Sequence, residues 1–283
     1  MSLAALPSNA PLAEFLPVPG RGQRFILVHQ AAAGQPVRGR VLFLHAFAEE
    51  MNKSRRMVAE QARALACQGF VVLQLDLLGC GDSSGDFADA SWDDWLADGQ
   101  MAIDHLAAFG SSPLWLWGMR AGALLAAELA ARQAQTPHCL FWQPSSSGKQ
   151  LLQQFLRLKS ASSLIGGQGK GAMAEAQQQL ARGLSVDVAG YTLGAPLAQG
   201  LEKVRLSAPQ PHAPGARLVW LEVSTQAEAS FSPVAEQGQQ AWREAGWQVQ
   251  AALLQGPQFW QTTEIEMAPA LIESSSRLLG APS

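Results

Sequence analysis

Short apolar runs alternate with segments of helical periodicity along most of this chain. Phe25–His29 and Val41–Leu44 read as strands, joined through a turn containing Gly34, Pro36 and Gly39. Met51–Cys67 carries its apolar residues at helical spacing and stops at Gly69. Phe70–Leu75 is a nearly continuous apolar run, the pattern of a strand covered on both faces. Trp92–Phe109 predicts a helix with Ser91 as N-cap; Asp93 and Asp94 sit in its first turn, where acids favour the helix dipole. Leu114–Trp117, Ala121–Gln133 and Cys139–Trp142 predict strand, helix and strand. The periodicity then weakens and resumes with Leu218–Val223, Pro233–Ala245, Trp247–Leu254 and Pro269–Leu279 as strand, helix, strand and helix. Such alternation predicts an α/β fold, a mainly parallel central sheet with helices on both faces.

The weak stretch has its own order: a Ser/Gly-rich start, an amphipathic run (Leu151–Leu158), a Gly-rich break (Ile165–Gly171) and a Gln-rich helix (Ala172–Leu180). It reads as a helical lid insertion over the C-terminal edge of the sheet. The expected organisation is a core of residues 1–144 and 206–283 with a lid or cap over 145–205. No internal repeat interrupts this division.

Composition narrows the class. A chain of 283 residues, 48% hydrophobic and 15% charged, is globular rather than disordered. A net charge of −3 gives no electrostatic case for nucleic acid or an anionic membrane surface. Cys67, Cys80 and Cys139 lack Cys-x-x-Cys spacing and fit neither a disulfide framework nor a zinc site. No His/Asp/Glu set has metal-ligand spacing, and no cofactor motif is present. The first residues lack a basic segment followed by a long apolar one, and no apolar run approaches a bilayer span. The expectation is a cytoplasmic protein.

The candidate chemistry centres on Leu114–Leu125, an apolar strand, a Gly-x-x-x-Gly turn and an Ala/Leu-rich helix. This resembles the nucleophile elbow of α/β-hydrolases, Gly-x-Ser-x-Gly, in which serine sits at the tip of a sharp turn. Gly118 and Gly122 keep the frame, but the tip is Arg120. Two further segments support the resemblance. Leu42–Phe47 is similar to the strand ending in His-Gly before the oxyanion loop, with Ala46 after His45. Asp76–Gly85 resembles the Asp-x-x-Gly-x-Gly-x-Ser turn after the neighbouring strand. Glu49–Arg56, Trp117–Gly122, Phe141–Pro144 and Gly256–Glu264 together resemble the exosortase A system-associated hydrolase 2 family. That resemblance covers about residues 10–280. It implies the α/β-hydrolase fold, a nominal hydrolase and a setting beside PEP-CTERM protein sorting and exopolysaccharide loci, but no substrate.

A serine hydrolase of this fold needs nucleophile, acid and histidine in chain order. Arg120 stays protonated and cannot attack a carbonyl. The acid would follow Leu218–Val223, where Glu228 is the candidate; the histidine would follow Trp247–Leu254, where the turn offers Gln258. No histidine follows His212. The Ser-His-acid triad therefore reads as degenerate. Ser145–Ser147, or Cys80 with His45, are the alternative nucleophiles for an ester or thioester hydrolase with an unconventional site.

Arg120 at a helix N-terminus adds positive charge to a partial positive charge, so the arrangement calls for an anion. A ligand carboxylate or phosphate would serve; so would a protein carboxylate from Glu49, Glu50 or Glu264. The candidate ligand-binding set is His45, Ala46, Phe47, Glu49, Glu50, Met119, Arg120, Trp142 and Trp260. Trp142 and Trp260 enter because they lie near strand C-terminal ends, where open α/β sheets bind ligands. The expected partner is an anionic small molecule or a protein of the exosortase/exopolysaccharide system. A pure interaction scaffold is the remaining alternative.

Overall fold

A computed structural model describes residues 10–32, 34, 36–165 and 171–281. In chain order the strands are β1 (Leu12–Pro17), β2 (Gln23–His29), β3 (Gly39–Leu44), β4 (Phe70–Leu75), β5 (Leu114–Met119), β6 (His138–Trp142), β7 (Val186–Val188), β8 (Tyr191–Leu193), β9 (Arg217–Ser224) and β10 (Gln248–Gln255). The helices are α1 (Glu49–Cys67), α2 (Trp92–Leu106), α3 (Ala121–Arg132), α4 (Gly148–Ile165), α5 (Ala172–Ala181), α6 (Ala195–Lys203), α7 (Pro233–Glu244) and α8 (Pro269–Gly280). Eight strands form one sheet in the order β1-β2-β4-β3-β5-β6-β9-β10. β1 and β2 run antiparallel at one edge, and every pairing from β4 to β10 is parallel.

The two faces follow from the period of two along a strand. Trp115, Trp117 and Met119 of β5, Leu140 and Trp142 of β6, and Val219, Leu221 and Val223 of β9 join a core with α1 and α8. Their alternates Leu116, Cys139, Phe141, Leu218 and Trp220 face the other core, built with α2, α3 and α7. Buried residues of α4, α5 and α6 are continuous with that second core. The predicted core elements stand with ends shifted by a few residues. Ser91 caps α2 as expected, its hydroxyl accepting from the Asp94 N–H while Asp94 reaches back to Ser91.

Several elements lie outside the predicted pattern. β1 is an edge strand with Leu12 and Phe15 exposed, so it carries no buried face to read. Between β6 and β9 the chain holds α4, α5, the β7–β8 hairpin and α6, where only two helical stretches were expected. Most of the Gly-rich break, residues 166–170, lies outside the described residues. Helix α1 begins at Glu49, two residues before the expected start, which brings Glu49 and Glu50 into its first turn.

Candidate functional site

The site is set by three strand ends. Ala48 (between β3 and α1), Arg120 (between β5 and α3) and Gln143 (after β6) all have left-handed φ, 49°, 54° and 44°. Each non-glycine residue held there costs on the order of 1–3 kcal/mol, and such strain clusters at functional sites. Neighbouring strands hold the turns in place. Arg120 N–H donates to Trp142 O (3.0 Å), Gln143 N–H to Leu221 O (2.8 Å) and Ser145 N–H to Arg120 O (3.3 Å). Gly118 and Gly122 are required by close approach. A Cβ on Gly122 would run into the carbonyl oxygen of Leu44, and one on Gly118 into the backbone of Ala123. The elbow backbone is thus complete, with an arginine at its tip.

The Arg120 guanidinium is engaged by the protein itself. Its Nε lies 3.2 and 3.3 Å from the two Glu50 carboxylate oxygens, and Nη2 lies 3.1 Å from Glu50 Oε1. Nη2 also donates to Gln154 Oε1 of α4 at 3.1 Å, and the Trp260 ring centroid is 5.7 Å from the guanidinium carbon. Both charged side chains are almost buried, 11% and 12% exposed. Burial pushes the Glu50 carboxyl upward, and the charge and hydrogen bonds of Arg120 oppose that shift. Of the two occupants expected for Arg120, the protein carboxylate is therefore the one present. Glu49 lines the second cleft beside Glu50, and Glu264 is exposed.

The ion pair and Gln154 lie between two clefts under α4. The first, of about 350 Å³, is lined by Arg120, Gln143, Ser145, Gln150, Trp220 and Glu222, among others. The second, of about 420 Å³, is lined by Phe47, Glu49, Glu50, Phe155, Leu158 and Trp260, among others. Leu151 and Gln154 contribute to both. In the second cleft Trp260 Nε1 and Glu49 Oε2 are buried without partners, and desolvation raises the Glu49 carboxyl.

The structure brings together only part of the predicted set. Arg120, Glu50, Glu49, Phe47 and Trp260 converge on the clefts. Trp142 does not, because its indole points to the α1/α8 face and donates to Ser275 Oγ at 2.8 Å. Met119 and Ala46, both with no exposed surface, belong to the same core. His45 is buried beside Arg55 and Asp76 in a separate small cavity. Its Nδ1 is 2.7 Å from Ala46 O and its Nε2 accepts from Leu77 N–H at 3.4 Å. Desolvation lowers its pKa, so it stays neutral.

Cys80 is a poor nucleophile: burial, and then the charges of Asp76 and Asp98, push its thiol far up. Glu228 is exposed in the loop after β9 and Gln258 is exposed after β10; neither lines a cleft described above. The carboxylate that does line the first cleft is Glu222, within β9, which sequence reasoning missed. Its signal was available, since period two from Trp220 places it on the cleft side. Ser145 lines the same cleft, 7% exposed and with its hydroxyl unpartnered. Ser146 Oγ donates to Gln150, and Ser147 Oγ accepts from the Gln150 N–H at the start of α4. Among the described residues no three His, Cys, Asp or Glu side chains gather as a metal site, and no helix is long and apolar enough to cross a membrane.

The same architecture recurs in known proteins. A sequence model of the family described as "Serine aminopeptidase, S33" matches residues 35–163, a span that includes Arg120. Curated protein sequences show no match. Similar solved structures include a soluble variant of monoglyceride lipase from Saccharomyces cerevisiae, in complex with a substrate analog (TM-score 0.63, 10% identity, 99% of both chains). Est1E from Butyrivibrio proteoclasticus superposes with a TM-score of 0.63 at 11% identity, over 95% of this chain and 96% of that one. An α/β serine hydrolase from Xanthomonas campestris, described as without lid, matches at 0.55 and 14% identity, over 96% of this chain and 92% of that one. Sheet order, elbow backbone and these likenesses agree: the chain is an α/β-hydrolase-fold protein.

Proposed function

We propose that this chain is a catalytically silent hydrolase homologue, a binding protein that keeps the elbow of the fold and has exchanged its nucleophile for a structural ion pair. The observation that carries this reading is the pairing of Arg120 with Glu50 at the elbow tip. A guanidinium in that place neither attacks a carbonyl nor accepts a proton. The exposed Gln258 and Glu228, the neutral buried His45 and the raised Cys80 thiol all agree with it. In this proposal residues 145–205 act as a cap, with α4 roofing both clefts and tied to the elbow through Gln154. The four segments that resemble the exosortase A system-associated hydrolase 2 family support a cytoplasmic role beside protein sorting or exopolysaccharide assembly.

The test is turnover of short acyl esters and thioesters by purified protein, with Arg120→Ser and Ser145→Ala alongside. No turnover is expected from the native chain. None is expected from Arg120→Ser either, because a serine there lacks a base. One observation favours an unconventional hydrolase instead, the buried unpartnered Ser145 hydroxyl. Native turnover abolished by Ser145→Ala would replace the silent reading with that one.

A further inference from the structure

We propose that the first cleft, between the ends of β6 and β9 and the start of α4, binds a neutral, hydroxyl-rich ligand of the sugar or polyol class. The inference rests on the reading of this chain as a binding protein and adds the chemistry of what is bound.

Three polar side chains of the cleft are oriented by bonds within the protein and keep hydrogen-bonding capacity to spare, and a fourth is unpartnered. Gln143 is fixed at both ends. Its N–H donates to Leu221 O and its side-chain Oε1 accepts from Val223 N–H at 2.9 Å, which leaves its amide NH₂ to the cleft. Gln150 Oε1 accepts from Ser146 Oγ at 2.8 Å, leaving a second amide NH₂. Glu222 Oε1 accepts from Trp220 Nε1 at 2.7 Å, leaving the other carboxylate oxygen. Ser145 Oγ, buried and unpartnered, both donates and accepts. An orphaned buried hydroxyl is left desolvated at a cost that a ligand bond recovers. The strained φ of Gln143 shows that its placement is over-determined by its surroundings.

Two amide donors, one carboxylate acceptor and one hydroxyl select for groups that donate and accept together. Alcohol groups do both. A ligand with acceptors alone leaves Glu222 facing lone pairs, and one with donors alone leaves the amides unused. Charge narrows the choice further. The positive charge of Arg120 is matched by Glu50, and Glu222 adds a negative charge to the cleft wall. An anion is therefore repelled by Glu222, and an ammonium group, which has no lone pair, leaves the amide NH₂ groups of Gln143 and Gln150 without an acceptor. Leu151, Leu206, Val234 and Trp220 supply an apolar wall for the C–H face of a ring. The volume of about 350 Å³ lies at the small end of ligand sites.

The experiment is binding to the purified full chain, read by saturation-transfer NMR and titration calorimetry. The probes are glucose, cellobiose, sucrose and myo-inositol as neutral polyols, glucuronate as anion and glucosamine as cation. Saturable binding of at least one neutral probe is expected, tighter than either charged analogue. Glu222→Gln and Gln150→Leu should each weaken it, Glu222→Gln by about tenfold or more, as loss of a bond to a charged group implies. Gln150 is exposed on α4, so that variant keeps the test valid if Glu222→Gln fails to fold. No saturable neutral binding, tighter binding of glucuronate or glucosamine, or binding indifferent to every folded variant overturns the proposal. Ester turnover is a separate readout. Turnover without sugar binding defeats both readings, and silence without sugar binding defeats this one alone.

Discussion

Arg120, at the tip of the turn after β5, is chelated by Glu50 of α1, with Nε within 3.3 Å of both carboxylate oxygens. The pair joins two helix N-termini of opposite need. Glu50 in the first turn of α1 is favoured by that helix's dipole. Arg120 at the start of α3 is disfavoured by its own dipole, and the carboxylate offsets this. The elbow thus carries no net charge of its own.

Removing one member leaves the other almost buried and unpaired. Arg120→Met is expected to cost about 3 kcal/mol, the range for breaking a buried ion pair, and Glu50→Gln a similar amount. The Arg120→Met/Glu50→Gln double variant should recover a large part of the loss, because no uncompensated charge remains. A double-mutant cycle by urea denaturation checks this. Additive losses would mean that the two side chains do not act as a pair.

Trp142 is a core residue, and its energetics should show it. Its Nε1 donates to Ser275 Oγ, which in turn donates to Leu271 O at 2.7 Å. Both side chains are essentially buried. Ser275→Ala orphans the indole N–H and should cost about 1–3 kcal/mol by denaturant titration. Sugar binding, if present, should be unchanged. Weakened binding at unchanged stability would return Trp142 to the cleft.

The elements legible in sequence are those whose apolar period runs unbroken: β4 on both faces, α2 with its Ser91 cap, and the β5–α3 elbow with Gly118 and Gly122. Glu50 was legible as a partner because opposite charge was needed near Arg120 and few carboxylates were in reach. Trp142 was misjudged because nearness to a strand end says nothing of which face a side chain takes; parity along β6 does. Glu222 sits inside an otherwise apolar strand, where its shared parity with Trp220 was the signal left unused. The β7–β8 hairpin has three residues per strand, too few for a period to register. Helix α6 offered one unused signal, Pro196 in its first turn.

Acid sensitivity should reside partly in His29. It is buried on β2 with Nε2 2.8 Å from Gln74 Nε2. Burial first, then the charge of Arg63, pushes its pKa down to about 4. Unfolded, it takes a proton near its ordinary 6.5; folded, it does so only near 4. Stability from this group is therefore full above 6.5 and is lost as pH falls toward 4. Glu49, Glu50, Asp98 and Glu222, all raised by burial, act in the opposite direction, so the native slope is a balance. The informative quantity is the stability of the native chain minus that of His29→Leu. It should fall by about 3 kcal/mol between pH 7 and pH 4. A constant difference would mean that His29 is not held neutral in the fold.

The β7–β8 hairpin closes through two residues, Ala189 and Gly190, with φ of 49° and 86°. Positive φ at both central positions is the signature of a type I′ turn, which matches the twist of the flanking strands. Glycine takes its place there without cost, but alanine brings a Cβ against the backbone, worth roughly 1–2 kcal/mol. Asparagine tolerates this conformation far better, and Asn-Gly is the preferred pair. Ala189 is exposed, so replacing it removes no packing. Ala189→Asn should therefore raise the stability by about 0.5–1 kcal/mol, with a thermal midpoint a few degrees higher. Ala189→Gly should gain less, because it also loosens the unfolded chain. A lowered midpoint for Ala189→Asn would show that the turn is not held in this conformation. The measurement bears on the site as well, since β8 ends one residue before Gly194, the N-cap of α6, and α6 packs against α4.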